Sequence, residues 1–403
     1  DLLEARTEEF ARMIVKEAGK PIRDARIEVI RAIYVLRLAS DGAKNMYGEQ
    51  IPMDSAPGGE NQIGLVKRVP LGVVAAITPF NLPLNTVLHK VAPAIAAGNT
   101  VVLKPAEKTP FSAFNLYQLF EEAGLPPGVF NIINGPGADL VQPLVSHPFV
   151  KKVSFTGSGP VGWKIQELAK KKKVTLELGS NAPNIIFPDA DLENAAEAIA
   201  SGGFILAGQA CISAQRIYIH QEVYSSFVDK LKRKVKKIIV GDPIDEQTQL
   251  GPMITEEAAE RAESWIKEAT ASGATVLIGG ARHGALMEPT IIEGATSRMK
   301  VVCQEVFAPI ISVIPFDQEE EVISLANDSE FGLHAGLFTN DINRAMKVAD
   351  ALEYSGVWIN ECSVRRHDHI PYGGIKNSGI GKEGIRYAIE GMTEQKFLGV
   401  KIL

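Results

Sequence analysis

LGVVAAI at 71–77, TVVL at 100–103, GVFNII at 128–133, KKVSF at 151–155 and KVTLEL at 173–178 decide the fold. These are short runs, mostly apolar and rich in β-branched residues, as expected of strands covered on both faces. The stretches between them, 84–97, 110–123, 137–147 and 159–172, read as helices. Strand, helix, strand in repetition predicts a mostly parallel sheet with helices on both sides. Ligands of such sheets bind beyond the carboxyl ends of the strands.

A second αβ series follows. Helices are expected at 191–207, 222–238, 255–272, 318–327 and 342–353, and strands at 184–187, 215–219, 275–278, 311–315, 335–338 and 356–359. A chain of 403 residues exceeds one ordinary core, so two doubly wound α/β domains are predicted. Residues 1–46 read as two helices broken near Gly19-Lys20-Pro21, and the chain is expected to begin inside a helix, with an N-terminal piece missing. Residues 47–70 carry a hairpin signal, with Pro and Gly around a polar centre. The end, KFLGVKIL, alternates as a strand and is placed to join another subunit's sheet. Residues 362–384 read as an irregular Gly-rich loop.

The net charge of −6 argues against a general nucleic-acid binder. No apolar run approaches the roughly 18–20 residues that span a bilayer. Three cysteines cannot all pair within one chain, which fits free thiols and a cytoplasmic setting.

Three residues could do chemistry together. Cys211 lies in GQACISAQR, at a change from helix to loop. Alone it would be read as packing, because free Cys is among the most buried residue types. Glu177 closes a predicted sheet strand at the ligand-binding end, where a buried carboxyl could act as a general base. Asn81 in ITPFNLP ends the first strand of the series, and its amide could donate to an oxyanion. Each has a plainer alternative: a capping or salt-bridged Glu, a turn-forming Asn before Pro83. Nucleophile, carboxylate and amide donor near the mouths of one sheet form an acyl-transfer set. GSGPVG at 157–162 has the form G-x-G-x-x-G after a strand, a weak signal alone, and no acidic residue ends the next strand unless Glu177 took that place. The Lys170–Lys173 run reads as a solvated helix end. Cys362, His367, Asp368 and His369 share one loop, but their spacing matches no zinc pattern and no metal is expected.

Together these segments resemble the aldehyde dehydrogenase superfamily over essentially the whole chain. The matching runs are ITPFNLPL (77–84), GNTVVLKPAEKTP (98–110), FTGSGPVG (155–162), LELG (176–179), GQACISAQR (208–216), QEVFAPI (304–310) and PYGGIKNSGIGKEG (371–384). The resemblance implies an NAD-dependent enzyme, with NADP possible, that converts an aldehyde to a carboxylate through a thioester. It makes Cys211 the nucleophile, Glu177 the general base, and Asn81 with the Cys211 backbone N–H the oxyanion hole. Lys104 and Glu107 would bind the adenosine ribose. Gly157, Ser158 and the adjacent helix N-terminus would hold the pyrophosphate. Glu305 would bind the nicotinamide ribose with Phe307 beside it, and Thr156, Pro79, Phe80 and Gly137 would line the same cleft. Residues 1–46 and 71–178 would form the NAD-binding domain and 179–384 the catalytic domain. Residues 47–70 and 385–403 would bridge subunits of a homodimer or homotetramer.

Some positions depart from the common pattern: Phe80 stands where many members carry Trp, Tyr372 where many carry Phe, Ser180-Asn181 replaces Gly-Lys, and Ala308 replaces Gly. The loop NECSVRRHDHIP at 360–371 resembles the lactaldehyde, non-phosphorylating glyceraldehyde-3-phosphate and succinate-semialdehyde branch. That branch implies a small, hydroxylated or anionic substrate. Arg366, with Arg365 beside it, is the candidate anion donor. The alternative for Arg366 is a pair with Asp368 or with a neighbouring subunit; for Arg365 it is plain solvent exposure. Two rival functions remain in view: a CoA-acylating enzyme, which would not need Glu177, and a non-catalytic protein keeping the fold.

Overall fold

The computed structural model describes residues 1–402, so Leu403, the last residue of the expected C-terminal strand, lies outside the described residues. The five strands of the opening pattern form one sheet. Its order is Gly379–Ile380, Lys173–Glu177, Val150–Thr156, Val73–Ile77, Thr100–Lys104, Phe130–Ile132. The five are parallel. Val74 and Ala76 pack into the core on one face, and Ala75 and Ile77 into the core on the other. Successive strand residues point to opposite faces, so a strand buried on both must be apolar throughout.

The second series forms a seven-stranded sheet in the order Thr275–Ile278, Thr290–Glu293, Ile310–Phe316, Arg216–His220, Pro183–Ile186, His334–Phe338, Gly356–Ile359. It is parallel except for the Thr275–Ile278 edge. Here too the faces alternate: Ile217 and Ile219 join one core, Tyr218 the other. Thr290–Glu293 was not expected. It is a four-residue run between Pro289 and Gly294, too short to register as a periodic segment.

Two expectations are corrected. The Gly-rich loop is not wholly irregular, because Gly379–Ile380 returns to the first sheet and runs antiparallel to Lys173–Glu177. Gly379 makes this possible: its φ is +147°, and a Cβ there would lie 2.0 Å from the Leu176 carbonyl oxygen. The C-terminal segment is also tied to its own chain, since Ile385 and Ile389 of the helix Ile385–Gly391, and Met392 after it, pack into the first core. The strand Thr393–Lys401 pairs over nine residues with Gln62–Pro70 of its own chain, and Glu49–Ile51 completes that small antiparallel sheet. The intrachain hairpin offers the nearest open edge, so the C-terminal strand takes it and leaves its own far edge unpaired within the chain.

Candidate active site

The parallel register sets four candidate positions side by side. Ile77 pairs with Lys104 and with Phe155, and Thr156 pairs with Glu177. Asn81, Lys104, Thr156 and Glu177 therefore stand at the carboxyl ends of four neighbouring strands, as the fold requires of a ligand site. Cys211 and the segment around Glu305 come from the other sheet. They sit in the connections that precede the strands Arg216–His220 and Ile310–Phe316. Gln215 clamps these connections together: its side-chain amide donates to the Val301 and Gln304 carbonyls at 3.1 and 2.7 Å, and its oxygen accepts from the Val306 N–H at 3.0 Å.

A cavity of about 530 Å³ runs along the strand ends. It is lined by Pro79, Phe80, Asn81, Lys104, Gly137, Thr156, Gly157, Ser158, Glu177, Cys211, Glu305 and Phe307. All the cofactor candidates read from the sequence are in this lining except Glu107. Glu107 stands behind it, accepting from the Gly137 N–H at 2.5 Å and from Lys104 Nζ at 3.4 Å. Ser158 stands at the N-cap position of the helix Gly159–Ala169 without a side-chain capping bond, and the first N–H groups of that helix have no partner within it. Glu305 accepts from the Ser180 N–H at 2.9 Å, and burial pushes its carboxyl up to about 7. A Cβ on Gly179 would lie 2.6 Å from Glu305 Oε2, so that close approach needs glycine. A buried ammonium, a carboxylate acceptor and a helix N-terminus at the rim of one slot fit a dinucleotide: ribose hydroxyls, a second ribose and a pyrophosphate.

A second cavity, of about 320 Å³, opens on the other side. Its lining includes Lys20, Glu28, Arg31, Arg365, Arg366 and Tyr372, together with Asn81 and Cys211. Asn81 and Cys211 thus form the wall common to both cavities. Asn81 Nδ2 donates to the Gln209 carbonyl at 2.8 Å, which leaves its second N–H free. Glu177 is buried and neither carboxyl oxygen has a partner. Burial, reinforced by the nearby Glu383 carboxylate, pushes it well above the usual carboxylate range. Burial also pushes the Cys211 thiol up, to about 11, against the opposing influence of Tyr372 and Arg366.

The sequence reading missed Lys90 and several partnerships within this site. Tyr372 OH lies 2.9 Å from Cys211 Sγ. Arg366 stacks on the Tyr372 ring, its Cζ 3.7 Å from the centroid. The buried Lys90 Nζ bonds Glu383 Oε1 at 2.6 Å and Thr156 Oγ1 at 2.7 Å. None of these partnerships has a spacing signal, because each joins residues from 17 to 293 positions apart or a ring to a cation. The pairing suggested for Arg366 is corrected as well. It donates to Glu383 Oε2 at 3.3 Å through Nη2, whereas Asp368 is held by Arg31 at 2.6 Å and His89 at 2.8 Å. Arg365 is exposed, with Glu361 at 3.9 Å. Among the described residues no cluster of three or more His, Cys, Asp or Glu could hold a metal ion.

The chain is similar to known proteins. The aldehyde dehydrogenase family pattern matches residues 1–398. The chain is 51% identical over 398 residues to a 3-sulfolactaldehyde dehydrogenase of Priestia aryabhattai, covering 99% of this chain and 83% of that protein. It is 42% identical over 402 residues to a lactaldehyde dehydrogenase of Methanococcus maripaludis, covering 98% and 84%. Among solved structures, the NADP-dependent glyceraldehyde-3-phosphate dehydrogenase from Bacillus halodurans, complexed with NADP, superposes with a TM-score of 0.98 at 37% identity, covering 100% of this chain and 85% of that one. The chain belongs to the aldehyde dehydrogenase family and is an NAD(P)-dependent oxidoreductase.

Proposed function

We propose that this chain oxidises a small 2-hydroxy aldehyde bearing an anionic group, of the sulfolactaldehyde kind, through a thioester on Cys211. The observation that supports it most is the placing of Cys211 and Asn81 on the wall shared by the two cavities. An aldehyde entering from the Arg366 side meets the sulfur, and the dinucleotide slot lies beyond it. In the reaction, the Cys211 thiolate forms a bond to the aldehyde carbon and the carbonyl electron pair moves to oxygen. That oxygen receives hydrogen bonds from the free Asn81 N–H and the Cys211 backbone N–H. Hydride acceptance from the same carbon is the chemistry NAD(P) supplies when bound, and a thioester remains on Sγ. Glu177, once ionised, takes a proton from water, the hydroxide attacks the thioester carbonyl, and Sγ leaves as thiolate. A water-activating base lining the same cavity as Cys211 is unnecessary if CoA resolves the thioester, so the acylating alternative is not favoured. Residues 1–46 and 71–178 would then serve the cofactor and 179–384 the chemistry, with Gly379–Ile380 and the Ile385–Gly391 helix returned to the first unit. The open edge of Thr393–Lys401, with Phe397 and Val400 about half exposed, supports a homo-oligomer joined through the small sheet. Three free cysteines agree with a cytoplasmic setting.

Two measurements test the substrate and cofactor readings. The Arg366 side chain is only 9% exposed, makes one long bond to Glu383, and has a buried Nε without a partner. Arg366→Ala is expected to raise KM for sulfolactaldehyde by about tenfold or more, the loss of one charge-assisted contact. Its stacking on Tyr372 means that kcat falls for every substrate, so the deciding quantity is KM: propanal should keep its value. Equal rises in KM for both would make Arg366 structural. For the cofactor, Glu107 sits where a 2′-phosphate would meet a like charge, with Lys104 beside it to soften the clash. NAD is expected to be preferred, and Glu107→Ser to shift the NAD:NADP ratio of kcat/KM toward NADP. An unchanged ratio removes Glu107 from cofactor choice.

A further inference from the structure

Tyr372 is fully buried, and its hydroxyl is spent on the sulfur of Cys211. A buried phenol almost always finds a hydrogen-bond partner, but nothing in its packing calls for a hydroxyl. Its ring lies between the Arg366 guanidinium, 3.7 Å from the centroid, and the His334 ring, edge-on at 5.1 Å. Ile212, Leu333 and Val364 complete the apolar contact. A phenylalanine would satisfy all of these. The backbone leaves the ring little freedom: the Tyr372 N–H donates to the Glu383 carbonyl at 3.1 Å, and the Tyr372 carbonyl accepts from the Glu383 N–H at 2.6 Å.

We propose that Tyr372 is a further catalytic residue, whose hydroxyl donates a hydrogen bond to the Cys211 thiolate and holds the same sulfur when it leaves the thioester. The direction follows from donor strength. A thiol is a weak donor and a thiolate has nothing to donate, so the phenol O–H must be the donor once the proton is lost. Bonds to a charged acceptor are about twice as strong as neutral ones, so the contact favours the ionised form. Arg366 over the ring adds to this, because a cation beside a phenol makes its O–H a better donor. The remaining charged or titratable groups around the pair do not supply the stabilisation. Glu177 and Glu305 both oppose the thiolate. His334 is depressed to about 4 by burial and is neutral. Lys382 is turned to the Gly373 carbonyl at 2.6 Å, and Glu383 to Lys90. In the thioester the sulfur is uncharged and the bond weakens. It strengthens again as the C–S bond breaks during hydrolysis, so the same hydroxyl serves both half-reactions.

The proposal rests on Cys211 as the nucleophile, and the test separates the two. Tyr372→Phe keeps the ring, the Arg366 stacking and the His334 contact, and removes one oxygen. The purified full chain is treated with iodoacetamide from pH 6 to 10.5, and carbamidomethylation is followed by mass spectrometry on the peptide containing Cys211, so that Cys303 and Cys362 do not interfere. In this reaction the thiolate forms the C–S bond and iodide leaves. Burial holds the thiol near 11, so both profiles are compared along their rising limbs, and loss of the bond should raise the Tyr372→Phe thiol by about one unit or more. Because a less stabilised thiolate is also more nucleophilic, the rate near pH 8 should fall by only about threefold for each unit of displacement. Superimposable profiles would overturn the proposal. So would a displacement to lower pH, which would show the thiol donating to the phenol and being held neutral by it. If alkylation confined to Cys211 leaves dehydrogenase activity intact in the parent chain, the nucleophile itself is misassigned.

Discussion

Cys211→Ala is expected to abolish aldehyde oxidation, by about a thousandfold or more, while NADP and NAD still bind. In the proposed mechanism the sulfur forms the bond to substrate, and no neighbouring group can replace it. Cys303 is half-buried and lines neither cavity beside Cys211. Cys362 is buried against Gly202, where a Cβ would come within 2.4 Å of its sulfur. Both are packing thiols, so Cys303→Ala and Cys362→Ala should retain most activity and lose only stability. Cofactor binding survives in Cys211→Ala because the slot is built by Lys104, Glu305 and the helix N-terminus at Ser158, none of which Cys211 supports. Fluorescence titration of NADH against the variant, beside steady-state turnover, makes the comparison. Substantial turnover in Cys211→Ala, or its loss in Cys303→Ala, would move the nucleophile.

The second large effect is expected at Glu177. An amide cannot take a proton from water, so Glu177→Gln should release up to one NADH per site in a rapid burst and then nearly stop at the thioester. A loss of about two to four orders of magnitude in the steady rate matches removal of a general base. Burial gives the parent enzyme a related signature. The carboxyl must ionise to act, and it is held above its ordinary range, so the steady rate of hydrolysis-limited turnover should still be rising at pH values where an ordinary carboxyl is already ionised. Glu177→Gln should remove that rise. Burst and steady rates that fall together would give Glu177 a different role, such as activating the thiol.

Much of this was legible in the sequence, and the reason is physical. Strands covered on both faces must be apolar throughout, so Val73–Ile77 and its neighbours announced themselves, and with them the line of strand ends where Asn81, Lys104 and Glu177 stand. The resemblance supplied the dinucleotide-side residues, and the structure gathers nearly all of them around one cavity. What stayed hidden was tertiary pairing. Nothing local to Tyr372 says that its hydroxyl meets Cys211, and nothing local to Arg366 says that Glu383 rather than Asp368 will take its charge. The strand Thr290–Glu293 was too short to show a period, and Gly379–Ile380 is a strand only because Lys173–Glu177 offers an edge to it.

That last pairing bears on how the polypeptide comes off the ribosome. The first sheet gathers its other five strands by residue 177, yet its edge waits for Gly379–Ile380 and its core for Ile385, Ile389 and Met392. About two hundred intervening residues, the entire seven-stranded sheet among them, must be synthesised first. During that interval the early strands have an open edge and an uncovered apolar patch, the state in which nascent chains are most prone to associate wrongly. The later sheet is contiguous in sequence and can close on its own schedule. Completion of the whole is then a single late event, in which the returning segment seals the first sheet beside Glu177 and seats Tyr372 against Cys211, so that a chain stopped before Met392 would have every catalytic side chain and no finished site.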